Sequence, residues 1–147
     1  LDLNQQLTTN SRFIMARPKT THPTPAELEI LKILWDRGPL TVREVWDVLQ
    51  AQKLRRAYTS VLSLLNVMAE KGLLEREPLG RAFRFRSNVS HEQTAGNMLS
   101  DLWQRAYSGS TSSLVAHLLD QTQPSDAELQ AIRETLQRFE ATQEPAP

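Results

Sequence analysis

Residues 57–86 read AYTSVLSLLNVMAEKGLLEREPLGRAFRFR. The stretch changes its period partway along. From Tyr58 to Lys71 the apolar residues Val61, Leu65 and Met68 recur at helical spacing, with Leu62 and Ala69 beside them. Gly72 closes that helix, because glycine adopts a left-handed cap without steric penalty. From Leu73 to Glu77, and again from Ala82 to Arg86, apolar and charged residues alternate as they do in half-buried strands. Pro78-Leu79-Gly80-Arg81 lies between them and carries turn chemistry. A helix followed at once by a β-hairpin is the reading.

Upstream, two helix starts are legible. Thr24-Pro25-Ala26-Glu27 is a capping box with proline at the first helical position. That helix runs to about Arg37, where Gly38-Pro39 stops it. Thr41-Val42-Arg43-Glu44 repeats the box and opens a second helix to about Gln52, with Val45, Val48 and Leu49 on its apolar side. The basic connector Lys53-Leu54-Arg55-Arg56 leads into the third helix. Three short helices and a hairpin describe a winged helix-turn-helix, with the hairpin as the wing.

Downstream the pattern is helical to the end. Ser90-His91-Glu92-Gln93 opens a fourth helix with Ala95, Met98, Leu99, Leu102, Trp103 and Ala106 at helical spacing. Ser108 to Ser113 is a polar break. Leu114, Val115, Leu118 and Leu119 make a short fifth helix. Ser125-Asp126-Ala127-Glu128 opens a sixth, carrying Leu129, Ile132, Leu136 and Phe139, and Ala141–Pro147 should fray. The expected fold class is therefore mainly α with a small β-hairpin wing. The expected domains are a disordered tail at 1–23, a winged helix-turn-helix at 24–88 and a helical dimerisation region at 89–147. Residues 1–14 read as an added or unused upstream segment, with Met15 as the natural start.

Composition narrows the function. The 147 residues contain no cysteine, which excludes disulfides, thiolate metal sites and a cysteine nucleophile. No apolar run approaches the roughly 18 residues of a membrane span, so no membrane insertion and a cytoplasmic location are expected. His22, His91 and His117 lack the paired spacing of a metal site, and no cofactor is implied. No nucleophile elbow or phosphate-cradling glycine loop is present, so an enzyme is not expected. Trp35, Trp46 and Trp103 read as core or interface anchors.

The net charge of zero hides a split. Residues 16–89 carry thirteen Lys/Arg against eight Asp/Glu, and residues 90–147 carry three against eight. A basic front and an acidic back suggest that only the front meets a polyanion. The third helix offers Thr59, Ser63, Asn66 and Glu70 as a polar stripe with Ser60 adjacent, short enough for close entry into a DNA major groove. Thr59, Ser60, Ser63 and Asn66 are expected nearest the bases. Arg43, Arg55, Arg56, Tyr58, Arg81 and Arg84 are expected to hold phosphates. Phe83 and Phe85 should form an apolar underside to the wing, with Arg84 and Arg86 on a cationic upper side.

The back half carries more apolar surface than its helices can hide alone. Leu99, Leu102, Trp103, Leu114, Val115, Leu118, Leu119, Leu129, Ile132, Leu136 and Phe139 are the expected dimer interface. Two rival readings remain: a winged-helix protein-interaction module without DNA binding, and a small enzyme.

Several segments together resemble the BlaI/MecI/CopY penicillinase-repressor family. They are Glu27, Leu31, Leu34 and Trp35 with Gly38-Pro39-Leu40-Thr41 and Glu44; Ala57-Tyr58-Thr59-Ser60-Val61 with Leu65 and Glu70-Lys71-Gly72-Leu73; Gly80-Arg81-Ala82-Phe83-Arg84-Phe85; and Tyr107-Ser108-Gly109-Ser110, Leu114-Val115 and Ser125-Asp126-Ala127-Glu128-Leu129. The resemblance covers about residues 24–140. It implies a homodimeric transcriptional repressor on a palindromic double-stranded operator, controlling β-lactamase or other resistance or sensor genes. It also implies relief by proteolysis, triggered directly or indirectly by a membrane metalloprotease sensor. Some members are cut after an Asn-Phe pair; the matching pair here, which departs from it, is His117-Leu118. The copper branch uses a cysteine-rich C-terminus, which has no counterpart here.

Overall fold

The computed structural model describes residues 22–143. The tail expected at 1–23 therefore lies outside the described residues except for His22 and Pro23. The described chain divides into two compact units, with the boundary between Leu99 and Ser100.

The first unit begins with helix α1, Pro25–Arg37. Its capping box is complete: the Glu27 N–H donates to Thr24 Oγ1 at 3.2 Å, and the Thr24 N–H donates to Glu27 Oε1 at 2.9 Å. Gly38 ends α1 at φ +83°, a conformation that a side chain would strain. Strand β1 is Leu40–Thr41, and helix α2 is Val42–Ala51. Thr41 belongs to the strand and also caps α2 through a second reciprocal box with Glu44. Helix α3 is Tyr58–Glu70. Strands β2, Leu74–Leu79, and β3, Ala82–Ser87, form the hairpin.

The hairpin turn is tighter than expected. Leu79 pairs with Ala82, so only Gly80 and Arg81 remain in the loop, and Pro78 and Leu79 belong to the strand. Gly80 at φ +60° permits that two-residue connection. Pro78 is tolerated because β2 is an edge of the sheet, whose order is β1-β3-β2. The third strand was not foreseen. Two residues are too few to show a period, and the pairs Leu40↔Phe85 and Thr41↔Arg84 join segments far apart in sequence.

The core draws on α1, α2 and α3 and on both strands of the hairpin. Ile30, Leu31, Ile33 and Leu34 from α1 meet Val45, Val48 and Leu49 from α2, Val61, Leu65 and Met68 from α3, and Leu74 and Phe85 from the sheet. Each fully buried side chain of this kind stabilises by about 1.5–3 kcal/mol. Trp35 packs against this core and donates its indole N–H to the Val89 carbonyl at 2.8 Å.

The expected apolar underside of the wing is only half correct. Phe85 is buried, but Phe83 is 50% exposed. β1 pairs with Phe85 and Arg84 and reaches no further toward the tip. Phe83 faces only Pro78 across the hairpin and has no third strand beside it.

Helix α4, His91–Tyr107, carries the unit boundary within it, and Ser90 Oγ accepts from the Gln93 N–H at its start. In the second unit α4 ends at Ser108 and Gly109, both with positive φ, and the Gly109 N–H returns to the Trp103 carbonyl. Helix α5, Thr111–Thr122, is capped by Ser110, and helix α6, Asp126–Gln143, starts with Ser125 Oγ accepting from Glu128. Ala141 to Gln143, expected to fray, remain helical. Neither α5 nor α6 buries a residue among those described.

Candidate nucleic-acid interface

The outer face of α3 follows from its inner one. Val61, Leu65 and Met68 are buried, so Thr59, Ser60 and Ser63 are turned outward and are exposed, with Asn66 half-buried. Leu62 and Val67 are also exposed, at 38% and 41%. Leu62, read from the sequence as a neighbour of the core stripe, therefore belongs to the outer surface.

The start of α3 is held by the connector before it. The Arg56 carbonyl accepts from Trp46 Nε1 at 3.0 Å and from Gln50 Nε2 at 3.2 Å. Its guanidinium donates to Glu29 Oε2 through Nε at 3.2 Å and Nη2 at 3.0 Å. The two carbonyl bonds fasten the connector to α2, and the two guanidinium bonds fasten it to α1. The Tyr58 ring meets Trp46 edge-on, with centroids 6.0 Å apart. Ala57, the N-cap of α3, offers no side-chain acceptor, so the first amides of α3 keep their donors for another acceptor.

The expected phosphate contacts separate into two groups. Arg43, Arg55, Tyr58 and Arg81 are exposed. Arg43 lies 5.1 Å over the Trp46 ring and 3.3 Å from Asp47 in an exposed ion pair, which restrains it weakly. Arg56 and Arg84 are instead committed to carboxylates. Arg84 donates to Glu77 at 2.7 Å, and Arg86 bonds Glu75 and reaches Glu77 at 3.2 Å. The acids on the same face of the neighbouring strand hold the Arg86 guanidinium above its usual pKa. The wing face expected to be cationic is thus a self-neutralised ladder, because antiparallel register sets Glu75 opposite Arg86 and Glu77 opposite Arg84.

The same register carries Arg76 to the other face. Arg76 pairs with Phe85, and Pro78 with Phe83. That inner face closes a groove of about 510 Å³ lined by Thr41, Val42, Arg43, Tyr58, Leu62, Asn66, Arg76, Ala82, Phe83 and Phe85. The sequence did contain the signal for Arg76: it lies two residues from the buried Leu74 in an alternating strand.

In the second unit, Leu102, Val115, Leu118, Ile132, Leu136 and Phe139 are exposed, as is Leu99 just before it. Trp103, Leu114, Leu119 and Leu129 are half-buried. Trp103 Nε1 is buried without a hydrogen-bond partner among the described residues. His117 is held on both ring nitrogens, by Tyr107 Oη at 2.6 Å and by the Gln121 amide at 3.3 Å. No cluster of potential metal ligands occurs among the described residues.

Comparison with known proteins agrees with the family resemblance. Transcriptional regulator BlaI of Mycobacterium tuberculosis is 32% identical over 125 residues, covering 84% of this chain and 88% of that one. The penicillinase repressor of Bacillus licheniformis is 26% identical over 112 residues, covering 76% and 87%. The methicillin resistance regulatory protein MecI of Staphylococcus aureus is 22% identical over 120 residues, covering 82% and 97%. Among solved structures, a MarR family protein from Bacillus stearothermophilus is similar with a TM-score of 0.44 at 20% identity, over 96% of this chain and 90% of that one. The profile described as Penicillinase repressor matches residues 23–138, nearly the whole described chain, and the protein belongs to that family.

Proposed function

We propose that the chain is a sequence-specific DNA-binding transcriptional repressor that works as a homodimer on a palindromic operator. The observation that carries this reading is the exposed polar face of α3 beside a groove whose lining holds two arginines and no acid. Thr59, Ser60, Ser63 and Asn66 meet base edges in the major groove. Arg43, Arg55, Tyr58 and Arg81 meet phosphates, as do the uncapped amides at the start of α3. Arg56 acts one step back by fixing the connector through Glu29, Trp46 and Gln50.

The exposed leucines and Phe139 of α4 to α6 support dimerisation, since a lone chain leaves this apolar surface in water. A two-fold dimer matches two half-sites. The relatives' names point to β-lactamase or other resistance genes as targets. Relief of repression by proteolysis, set off directly or indirectly by a membrane metalloprotease sensor, rests on the family resemblance; the matching pair His117-Leu118 in α5 departs from the Asn-Phe of some members. No helix among the described residues is long and apolar enough to cross a membrane itself.

The test is binding to the gene's own upstream DNA at two salt concentrations, with footprinting. A protected palindrome and affinity that falls steeply with salt are expected. Salt-insensitive or absent binding overturns the reading in favour of a protein-interaction module.

A further inference from the structure

We propose that the groove between α3 and the inner face of the wing seats one deoxyribose-phosphate strand of the DNA, with Arg76 as a phosphate-binding residue. This rests on the DNA-binding reading and adds a contact surface to it.

Three observations carry it. First, charge: the groove's charged residues are Arg43 on the α2 wall and Arg76 on the β2 wall. Arg76 is exposed and makes no ion pair among the described residues, whereas the other strand arginines, Arg84 and Arg86, pair with Glu77 and Glu75 on the opposite face. Arg43 is shared with Asp47, an exposed pair that a phosphate can displace. Second, polarity: Leu62 and Phe83, both exposed to solvent, line the same groove as the two cations. A deoxyribose presents apolar carbon edges between charged phosphates, and a groove lined by both cations and apolar surface suits it. Third, position: Asn66 and Tyr58 line the same groove from α3. The groove therefore adjoins the α3 face proposed to enter the major groove, where a bordering backbone strand would lie.

The occupant is therefore a polyanion with apolar edges, and one DNA backbone strand fits. An apolar ligand would bury Arg76 without a counter-charge, at a desolvation cost.

The experiment uses the full chain and the tightest-binding duplex selected from a random 25-base-pair pool. Affinity is measured from low to high salt for the wild type, Arg76→Ala, Arg76→Lys and Arg84→Ala. Losing one phosphate contact makes the slope of log K against log salt shallower by about 0.9. Arg76→Ala should show this change, Arg76→Lys should restore it, and Arg84→Ala should leave the slope unchanged. Duplexes carrying a neutral methylphosphonate at single positions locate the contact. At one position Arg76→Ala should cost nothing further. An unchanged slope in Arg76→Ala, with the wild type binding normally, overturns the groove assignment alone. A wild type that binds no duplex in a salt-dependent way overturns the DNA-binding reading as well. A loss in Arg76→Ala that is equal on every methylphosphonate duplex means a structural role and overturns the phosphate contact.

Discussion

The Lys71 ammonium lies 2.9 Å from Oε2 of Glu27, a carboxylate whose side chain is only 2% exposed. One residue caps the first helix of the winged unit, and the other ends the helix proposed to read DNA. The pair ties the start of α1 to the end of α3. Burial by itself would raise the Glu27 pKa, but the Thr24 amide, Lys71 and the Thr24 hydroxyl together outweigh it and hold the carboxyl below its usual value.

Because the folded-state pKa of Glu27 is lowered, its contribution is fully present above the unfolded value of about 4.3. It is lost as pH falls below that value and through the folded pKa. The denaturation midpoint should therefore drop in acid, and Glu27→Gln should flatten that part of the profile. Glu27→Gln also leaves Lys71 without its counter-charge and costs roughly 1–3 kcal/mol at neutral pH. Lys71→Met leaves a buried carboxylate unpaired and should raise the Glu27 pKa. An identical acid limb in wild type and Glu27→Gln, measured by urea denaturation across pH, would contradict this.

Trp46→Phe keeps most of the ring but deletes the N–H that donates to the Arg56 carbonyl. A stability loss of about 0.5–1.5 kcal/mol is expected. DNA affinity should fall by more than that loss explains, since the connector sets where α3 begins. Equal affinity at full folding, read by fluorescence anisotropy, would remove the connector from the binding surface.

Ser63→Ala and Asn66→Ala should alter base preference, whereas Arg81→Ala should weaken binding on all sequences alike. Selection from random pools separates these outcomes. A uniform loss for Ser63→Ala and Asn66→Ala would mean that α3 does not face the bases.

Leu136→Asp or Phe139→Asp should raise the dimer dissociation constant by about 30-fold or more, as for a central apolar contact. Sedimentation at micromolar concentration reads this directly. A wild-type chain that sediments as a monomer would overturn the dimer.

Local chemistry made much of the fold legible. The boxes at Thr24 and Thr41 form as their residue types require, since each needs only neighbours three positions away. The stripe of Val61, Leu65 and Met68 located the buried side of α3, and with it the polar outer face. What escaped were relationships between distant segments. Strand β1 exists because Leu40 and Thr41 meet Phe85 and Arg84, and nothing local in two residues announces a strand.

Helix starts, the change to a strand period and the dry residues of α3 are readable along the chain. These depend on hydrogen bonds and burial within a few residues. Which cations remain available depends instead on contacts between distant segments. Arg56 and Arg84 carry the same charge as Arg43 and Arg76 on paper. Folding brings Glu29 to Arg56 and strand register brings Glu77 to Arg84, while Arg76 is turned to the groove beside α3. Charge is a property of the residue, but its availability depends on which neighbours the fold supplies.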